Sequence, residues 1–243
     1  MANHRIYQDS TLAEELTLPL DKRAAHHLTT VLRANTGDSV VLFNGDGSEY
    51  QARLQIKGKS ASATIAQQLR FEYPPLLSIT FIQAVSRGDR MDWSIQKAVE
   101  LGASQIIPIY CERSIRSLDK TRTHKKMQHW QGIVTSACEQ SERCRLPKLH
   151  QPIALSEYLN HSDSSLPGFI LDPKAAISLH SSLQAADTVT IFNGPEGGFT
   201  DAEIAAAQSS GFKPVHIGPR ILRTETAGIV ALAVIQSAIG DLK

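Results

Sequence analysis

The chain has 243 residues, of which 42% are apolar and 20% are charged, and its formal net charge is +1. This composition is typical of a globular protein with one large domain or two smaller ones. The near-zero charge excludes an overall basic surface, although a local patch can still bind RNA. No apolar run reaches the roughly 18 residues of a membrane span, and residues 1–5 lead to no apolar signal-peptide segment. We therefore expect no membrane partner.

The cysteines and histidines indicate no disulfide framework and no metal site. Cys111, Cys138 and Cys144 are odd in number and lack the C-x-x-C spacing of zinc ligands. The adjacent His26 and His27 cannot easily share one ion, because neighbouring helical side chains point in different directions. Free cysteines fit a reducing compartment, so we expect a cytoplasmic protein that uses no metal.

The first 72 residues are predicted to form one small domain. Apolar residues at helical spacing predict a helix over residues 20–33. Three strands follow, over residues 39–43, 49–56 and 60–69, and the sequence NGDG at 44–47 is a strong hairpin signal. One helix with several short strands predicts a small barrel.

Residues 77–243 are predicted to form a second domain, because Pro74 and Pro75 mark a stiff linker. Beyond the linker the pattern alternates between strands and helices, which predicts an α/β fold with a parallel sheet. The predicted strands are 78–84, 105–110, 168–172, 188–192 and 213–217, and the predicted early helices are 90–101 and 124–141.

Two loops carry most of the functional information. They are residues 193–200 (NGPEGGFT) and 217–226 (IGPRILRTET), and each follows a predicted strand. Such loops lie at the carboxyl edge of a parallel sheet, where ligands bind. Thr200 and Glu203 form a predicted capping box that starts a helix ended by Gly211. The glycines by themselves would also fit two tight turns.

The two motifs together closely resemble the RsmE family of SPOUT-class enzymes, which methylate N3 of a uridine in 16S ribosomal RNA. Residues 97–114 and 139–147 also resemble this family, although the family usually has glycine where this chain has Glu142. The resemblance implies a SPOUT-type parallel sheet with a C-terminal trefoil knot and an N-terminal PUA-like β-barrel domain that binds RNA. It also implies S-adenosyl-L-methionine as methyl donor and the small ribosomal subunit as partner.

With that donor, glycine-rich backbone can read the edges of adenine without side chains. The glycines that would do so are Gly194, Gly197, Gly198 and Gly218. Leu171, Ile217 and Leu222 would form apolar walls, a residue type that equally suits plain core. The candidate cofactor-binding set is completed by Asn193, Glu196 and Thr226.

Methylation of uridine N3 requires a route for the N3 proton and positive charge near O2 or O4. Arg220 and Arg223 are the candidates for the positive charge. Glu225 or Glu196 either accepts the proton or orients an arginine, and the sequence leaves this choice open. The following segment, 227–235, is apolar on every face, which predicts a helix buried at a homodimer interface.

A local basic cluster is the predicted RNA-binding surface. Residues 112–148 hold nine Lys or Arg and four acids, a net charge of +5, and such clusters can neutralise phosphates. A solvated helix start explains the cluster equally well. The candidate RNA-binding residues are Arg116, Lys120, Arg122, Lys125, Lys126 and Arg143, with Arg23 and Arg33 on the first predicted helix.

Two other functions remain open from the sequence. One is a SPOUT methyltransferase with another target, such as a tRNA base or a ribose 2′-hydroxyl. The other is a non-catalytic RNA-binding module in which the glycine loops are only turns.

Overall fold

The computed structural model describes residues 4–115, 119–161 and 166–242. The chain divides into two compact units. One contains the residues up to Pro74 together with Cys138–Leu146, and the other contains Pro75–Ala137 and the residues from Pro147 onwards. The predicted second domain, residues 77–243, includes Cys138–Leu146. Long-range contacts with the N-terminal strands, which pattern reading cannot detect, bring this segment into the first unit.

The first unit contains a five-stranded sheet with the strand order β1-β3-β4-β5-β2. The β1–β3 pair is parallel, whereas the remaining pairs are antiparallel. Its strands are β1 (His4–Tyr7), β2 (Thr17–Pro19), β3 (Ser39–Phe43), β4 (Ser48–Lys57) and β5 (Ser60–Phe71), and its helix is α1 (Lys22–His26). The hairpin predicted at residues 44–47 is confirmed, because β3 and β4 on either side of it pair antiparallel.

The helix predicted over residues 20–33 is interrupted in the structure. Helix α1 begins after Asp21, whose side chain caps the Ala24 amide, and it continues as a π-helical segment over His27–Val31. The Thr29 hydroxyl donates to the Ala25 carbonyl at 2.8 Å, a side-chain bond of the kind that competes with the helical ladder. Leu28 remains fully buried in the core of this unit, as its spacing predicts.

A buried charged cluster ties residues 138–146 to the strands of the first unit. The Glu49 carboxylate accepts from Arg5 and, at 2.8 Å, from Arg70 Nε, and the Cys144 thiol lies 3.3 Å from it. Burial raises the pKa of Glu49, but hydrogen bonds from Cys144 and Arg70 and the charge of Arg5 outweigh burial and hold the pKa below its ordinary value of 4.5. Glu139 accepts from the Tyr7 amide at 2.9 Å.

The second unit is an α/β fold built on a parallel sheet, as the sequence predicts. The strand order is β12-β10-β11-β6-β7-β8, and β9 also pairs with β7. The strands are β6 (Ser78–Ala84), β7 (Gln105–Tyr110), β8 (Lys148–Leu149), β9 (Ile153–Ala154), β10 (Gly168–Leu171), β11 (Thr188–Asn193) and β12 (Lys213–Val215). The helices are α2 (Asp89–Glu100), α3 (Lys120–Ser141), α4 (Leu155–His161), α5 (Leu179–Ser182), α6 (Asp201–Ser209) and α7 (Thr224–Ile239), although the last residues of α3 belong to the first unit.

The strand order brings loops that are distant in sequence to one edge of the sheet. Strands β10, β11 and β6 are consecutive neighbours, and β12 lies beside β10. Backbone hydrogen bonds join the loop after β10 to the end of β12. The Asp172 amide donates to the Val215 carbonyl, the Leu179 amide to the His216 carbonyl, and the His216 amide to the Ile177 carbonyl. After β12 the chain returns to pack α7 against α2, α5 and β11.

The cysteines Cys111, Cys138 and Cys144 are free. Within the described parts of the chain, no helix combines the length and the apolar character that a membrane span needs.

Candidate active site

A buried amide network fixes the carboxyl edge of the sheet to the start of α7. Asn193 at the end of β11 and Gln83 on β6 are paired across the two strands, and both are buried. The Asn193 amide nitrogen donates to Gln83 Oε1 at 2.7 Å and to the Thr224 carbonyl at 2.8 Å. The Thr224 hydroxyl in turn donates to the Gly194 carbonyl. Both motif loops are therefore attached to the same two strands.

Helix α7 approaches the sheet closely because it has glycine at the contact. A Cβ at Gly228 would lie 2.8 Å from Phe81 Cζ and 3.0 Å from Asn193 Nδ2, closer than side chains normally pack. The absence of a Cβ at this position lets the N-terminal half of α7 lie directly on β6 and β11.

An ion-pair cluster joins the two motif loops to α2. Glu196 in the first loop accepts from Arg90 Nη1 at 2.8 Å and from the Arg87 amide at 3.2 Å. Arg90 Nε lies 3.9 Å from Glu225 Oε2, in the first turn of α7. Burial raises the pKa of Glu196, but hydrogen bonds from its own amide, Arg90 and the Arg87 amide prevail and hold the pKa below 4.5. Arg90 therefore connects a carboxylate from each motif.

The glycine loops leave open space at the same edge. Gly198 and Gly218 have φ values of +69° and +117°, and a Cβ at either position would meet no atom within 4 Å. Other side chains are strained at such φ values. Arg113 supports the first loop by donating to the Gly197 carbonyl at 2.9 Å. The predicted capping box of Thr200 and Glu203 is present at the start of α6.

The second loop presents two unpaired basic side chains to solvent. Arg220 and Arg223 are exposed, and among the described residues neither guanidinium has a hydrogen bond or an ion pair. Arg223 is the residue that precedes α7, and its side chain makes no capping bond. Ile221, between them, is 80% exposed. These side chains are free to contact a ligand.

The candidate cofactor-binding residues are grouped around this edge with different exposures. Leu171, Ile217 and Leu222 are half-buried, so they are not fully enclosed in the hydrophobic core. Thr226 is exposed on α7, whereas Asn193 is only 2% exposed. The Asn193 amide nitrogen already donates to Gln83 and Thr224, so Asn193 connects the two motif loops within the protein.

The candidate RNA-binding residues are distributed over both units. Lys120, Arg122 and Lys125 are exposed in the first turns of α3, while Lys126 Nζ lies 5.4 Å from the Trp130 ring centroid. Arg116 lies outside the described residues. In the first unit, Arg33 is exposed, and Arg23 donates to Glu139 at 2.9 Å and to the Tyr7 carbonyl at 3.1 Å. The Arg143 carbonyl accepts from Arg5. The paired Arg23 is thus used within its own unit.

Sequence reasoning missed Gln83, Arg90 and Arg113 as parts of this site. Gln83 lies near the end of strand β6, and Arg87 and Arg90 follow that strand, which ends at the same edge as the motif loops. The rule that ligands bind beyond the carboxyl ends of parallel strands could have included them. Arg113 follows β7 in the same way. Their partners are distant in sequence, so the pairings themselves had no sequence signal.

Within the described residues there is no group of three His, Cys, Asp or Glu side chains that could hold a metal ion.

Comparison with known proteins identifies the family. The family model for an RNA methyltransferase domain matches residues 72–236, and the model for an RNA methyltransferase PUA domain matches residues 20–66. Ribosomal RNA small subunit methyltransferase E of Buchnera aphidicola (strain Sg) is 32% identical over 98% of this chain and 97% of its own length. The Bacillus subtilis protein of the same name is 31% identical over 92% of this chain and 91% of its own length.

Two solved structures are similar over both complete chains. A Legionella pneumophila methyltransferase in complex with S-adenosylmethionine is 38% identical, with a TM-score of 0.95 and complete coverage of both chains. Ribosomal RNA small subunit methyltransferase E from Neisseria gonorrhoeae, also bound to S-adenosylmethionine, is 36% identical, with a TM-score of 0.91 and complete coverage. The chain therefore belongs to the RNA methyltransferase family that contains ribosomal RNA small subunit methyltransferase E.

Proposed function

We propose that this protein is an enzyme that transfers a methyl group from S-adenosyl-L-methionine to N3 of a specific uridine in 16S rRNA of the small ribosomal subunit, in the cytoplasm. One observation carries the proposal. Two glycine-containing loops and the start of α7 meet at the carboxyl edge of the parallel sheet, and two unpaired arginines, Arg220 and Arg223, extend from the second loop.

The residues at this edge fit the methyl donor. The open backbone at Gly198 and Gly218 leaves room for a flat adenine to approach N–H and C=O groups, and Gly194 and Gly197 lie in the same loop. The half-buried Leu171, Ile217 and Leu222 provide apolar surface beside the loops. When bound, the donor supplies an electrophilic methyl group. The protein residues hold the donor, exclude water and assist the loss of the uridine N3 proton.

The arginines and glutamates have separate tasks in the proposed reaction. Arg220 and Arg223 stabilise the negative charge that develops on uridine O2 or O4 as N3 loses its proton. Glu196 and Glu225, linked by Arg90, are the carboxylates available to accept that proton. Because the target base must reach the donor, we expect it to be drawn out of its stack.

We assign RNA contact to both domains. Residues 1–72 form a PUA-like β-barrel domain, a proposal supported by the PUA family match and the five-stranded sheet. Residues 77–243 form the SPOUT methyltransferase domain. Exposed Lys120, Arg122 and Lys125 on α3, with Arg33 in the first domain, bind backbone phosphates.

The C-terminal segment is proposed to form a trefoil knot. Three backbone hydrogen bonds join the loop after β10 to the end of β12, and the chain then reaches β11, two strands away from β12 in the sheet. Passage of residues 217–223 through the loop between β10 and β11 accounts for this path. An experimental electron-density trace that instead passes outside that loop would contradict the knot.

A homodimer through α7 is proposed for the same segment. Helix α7 buries Ala231, Leu232 and Ile235 within its own chain. Ala227, Val230, Ala233 and Val234 are apolar but only half-buried, so they are available to a second copy. Sedimentation is expected to give a dimer, and a fully active monomer at assay concentration would contradict the proposal.

The experiment that tests the function uses labelled S-adenosylmethionine and small ribosomal subunits from cells lacking the enzyme. After incubation, the RNA is digested and the labelled nucleoside is identified by chromatography. Label in 3-methyluridine is the expected result. Label in another base or at a ribose 2′-hydroxyl would show that the enzyme has a different target. Absence of donor binding would favour a non-catalytic RNA-binding module.

Arg223 distinguishes catalysis from donor binding. Arg223→Ala is expected to abolish methyl transfer while leaving donor binding largely intact, because its free guanidinium serves the developing charge. Loss of donor binding in this variant would make Arg223 a cofactor residue instead.

A further inference from the structure

The two glutamates at the site have different hydrogen-bond environments. Glu196 Oε1 accepts from Arg90 Nη1 at 2.8 Å and from the Arg87 amide at 3.2 Å. A carboxylate with these charge-assisted and backbone donors is stabilised as the anion. Its hydrogen bonds connect the first motif loop to the start of α2. Glu196 thus has a structural role that its partners explain.

Glu225 is the carboxylate with an unused oxygen. Its side chain is 18% exposed, and Oε2 is buried without a hydrogen-bond partner among the described residues. Arg90 Nε is 3.9 Å away, within ion-pair range but beyond hydrogen-bond distance. Arg90 is the one basic side chain in the described chain that forms an ion pair with Glu225. A buried carboxylate oxygen without a donor costs free energy unless a ligand supplies one.

The end of the second motif loop and the start of α7 carry the types of group that the edge of a uracil base requires. On uracil, the N3–H donor lies between two carbonyl acceptors, O2 and O4. In the protein, a buried acceptor at Glu225 closely follows two free donors, the guanidinium groups of Arg220 and Arg223. The anion also lies in the first turn of α7, where the helix dipole favours negative charge.

We propose that Glu225 is the catalytic base that accepts the uridine N3 proton, while Arg90 and Glu196 are positioning residues that hold it in place. This inference rests on the proposed function. Glu225 Oε2 forms the new O–H bond as the N3–H bond breaks. The N3 electron pair then bonds to the methyl carbon of the sulfonium donor, and the carbon–sulfur bond breaks with its electrons left on sulfur. The products are 3-methyluridine, the neutral thioether and a protonated Glu225 carboxyl group.

The test compares Glu225→Gln with Glu196→Gln in the full-length protein. Single-turnover methyl transfer to small subunits is measured at neutral pH, and donor binding is measured by calorimetry. Glu225→Gln should bind the donor within about threefold of wild type and lose about 10²- to 10⁴-fold in rate, the range typical of a general base. Glu196→Gln should lose less of the rate, because the amide oxygen introduced there can still accept the hydrogen bond from Arg90.

Two further results separate a chemical role from a structural one. Added formate should partly restore the rate of Glu225→Ala, because a small carboxylate can replace the missing base, and it should not restore Glu196→Ala. The inference is overturned if Glu225→Gln stays within threefold of the wild-type rate or loses donor binding, or if formate leaves the rate of Glu225→Ala unchanged. Wild-type protein that binds donor but methylates no uridine would instead refute the proposed function itself.

Discussion

Asn193 offers the most direct test of how the site is held together. Its amide nitrogen donates to Gln83 Oε1 at 2.7 Å and to the Thr224 carbonyl at 2.8 Å, and the residue is only 2% exposed. Asn193→Ala leaves both acceptors buried without that donor. Because each unsatisfied buried group costs about 1–3 kcal/mol, we expect a loss of about 3 kcal/mol in the free energy of unfolding.

Urea denaturation followed by tryptophan fluorescence measures this loss. Both tryptophans, Trp93 and Trp130, belong to the second unit, so the signal reports on the part of the chain that contains Asn193. At roughly 2–4 °C per kcal/mol, the melting temperature should fall by about 6–12 °C. The matched control is Asn160→Ala at an exposed position on α4, which should change stability by less than about 0.5 kcal/mol. An equally small change in Asn193→Ala would refute the argument that this amide joins the loops.

Three further predictions concern packing, strain and charge. Gly228→Ala should lower the free energy of unfolding by about 1–2 kcal/mol in the same assay, because the added Cβ meets Phe81. The control Gly132→Ala on α3 should raise it by about 0.5–1 kcal/mol, because a Cβ there meets no atom within 4 Å. Glu142 has a φ of +61°, so Glu142→Gly should stabilise the first unit by about 0.5–1 kcal/mol in calorimetry, and Glu142→Ala should not. Glu49→Gln should cost that unit about 3 kcal/mol at neutral pH, since it leaves the buried Arg5 unpaired. The folded-state pKa of Glu49 is lowered, so its contribution is complete above the ordinary value of 4.5 and is lost as pH falls through the folded-state pKa. The stability difference between wild type and Glu49→Gln should therefore shrink in acid, and a constant difference would contradict this explanation.

Much of the second unit could be predicted from local pattern. Strands β6 and β7 begin and end where alternation and apolar runs predict, and the capping box at Thr200 is present. The two motif loops follow β11 and β12, because a glycine-rich turn after a buried strand has a local sequence signal. Helix α1 was less predictable, because the spacing of apolar residues does not distinguish the π-helical geometry over His27–Val31 from a regular helix.

The Glu142 position illustrates a partial prediction. The resemblance indicates that glycine is usual there, and the structure gives the reason, because the backbone at Glu142 is left-handed. The sequence alone could not indicate that the surrounding residues pack with the N-terminal strands. That assignment depends on the Glu139 contact with the Tyr7 amide and the Cys144 contact with Glu49, which join residues far apart in the chain.

Short-range periodicity and residue type were enough to predict the α/β class of the second domain, the two motif loops and the candidate residues within those loops. Which residues share contacts depends on the tertiary structure, because the contacting residues are far apart in the chain. The non-sequential strand order places Gln83 beside Asn193, and helix packing brings Arg90 between Glu196 and Glu225. Glu196 is hydrogen-bonded, whereas Glu225 has an oxygen without a hydrogen-bond partner among the described residues. This difference depends on long-range contacts, so no local pattern could have revealed it.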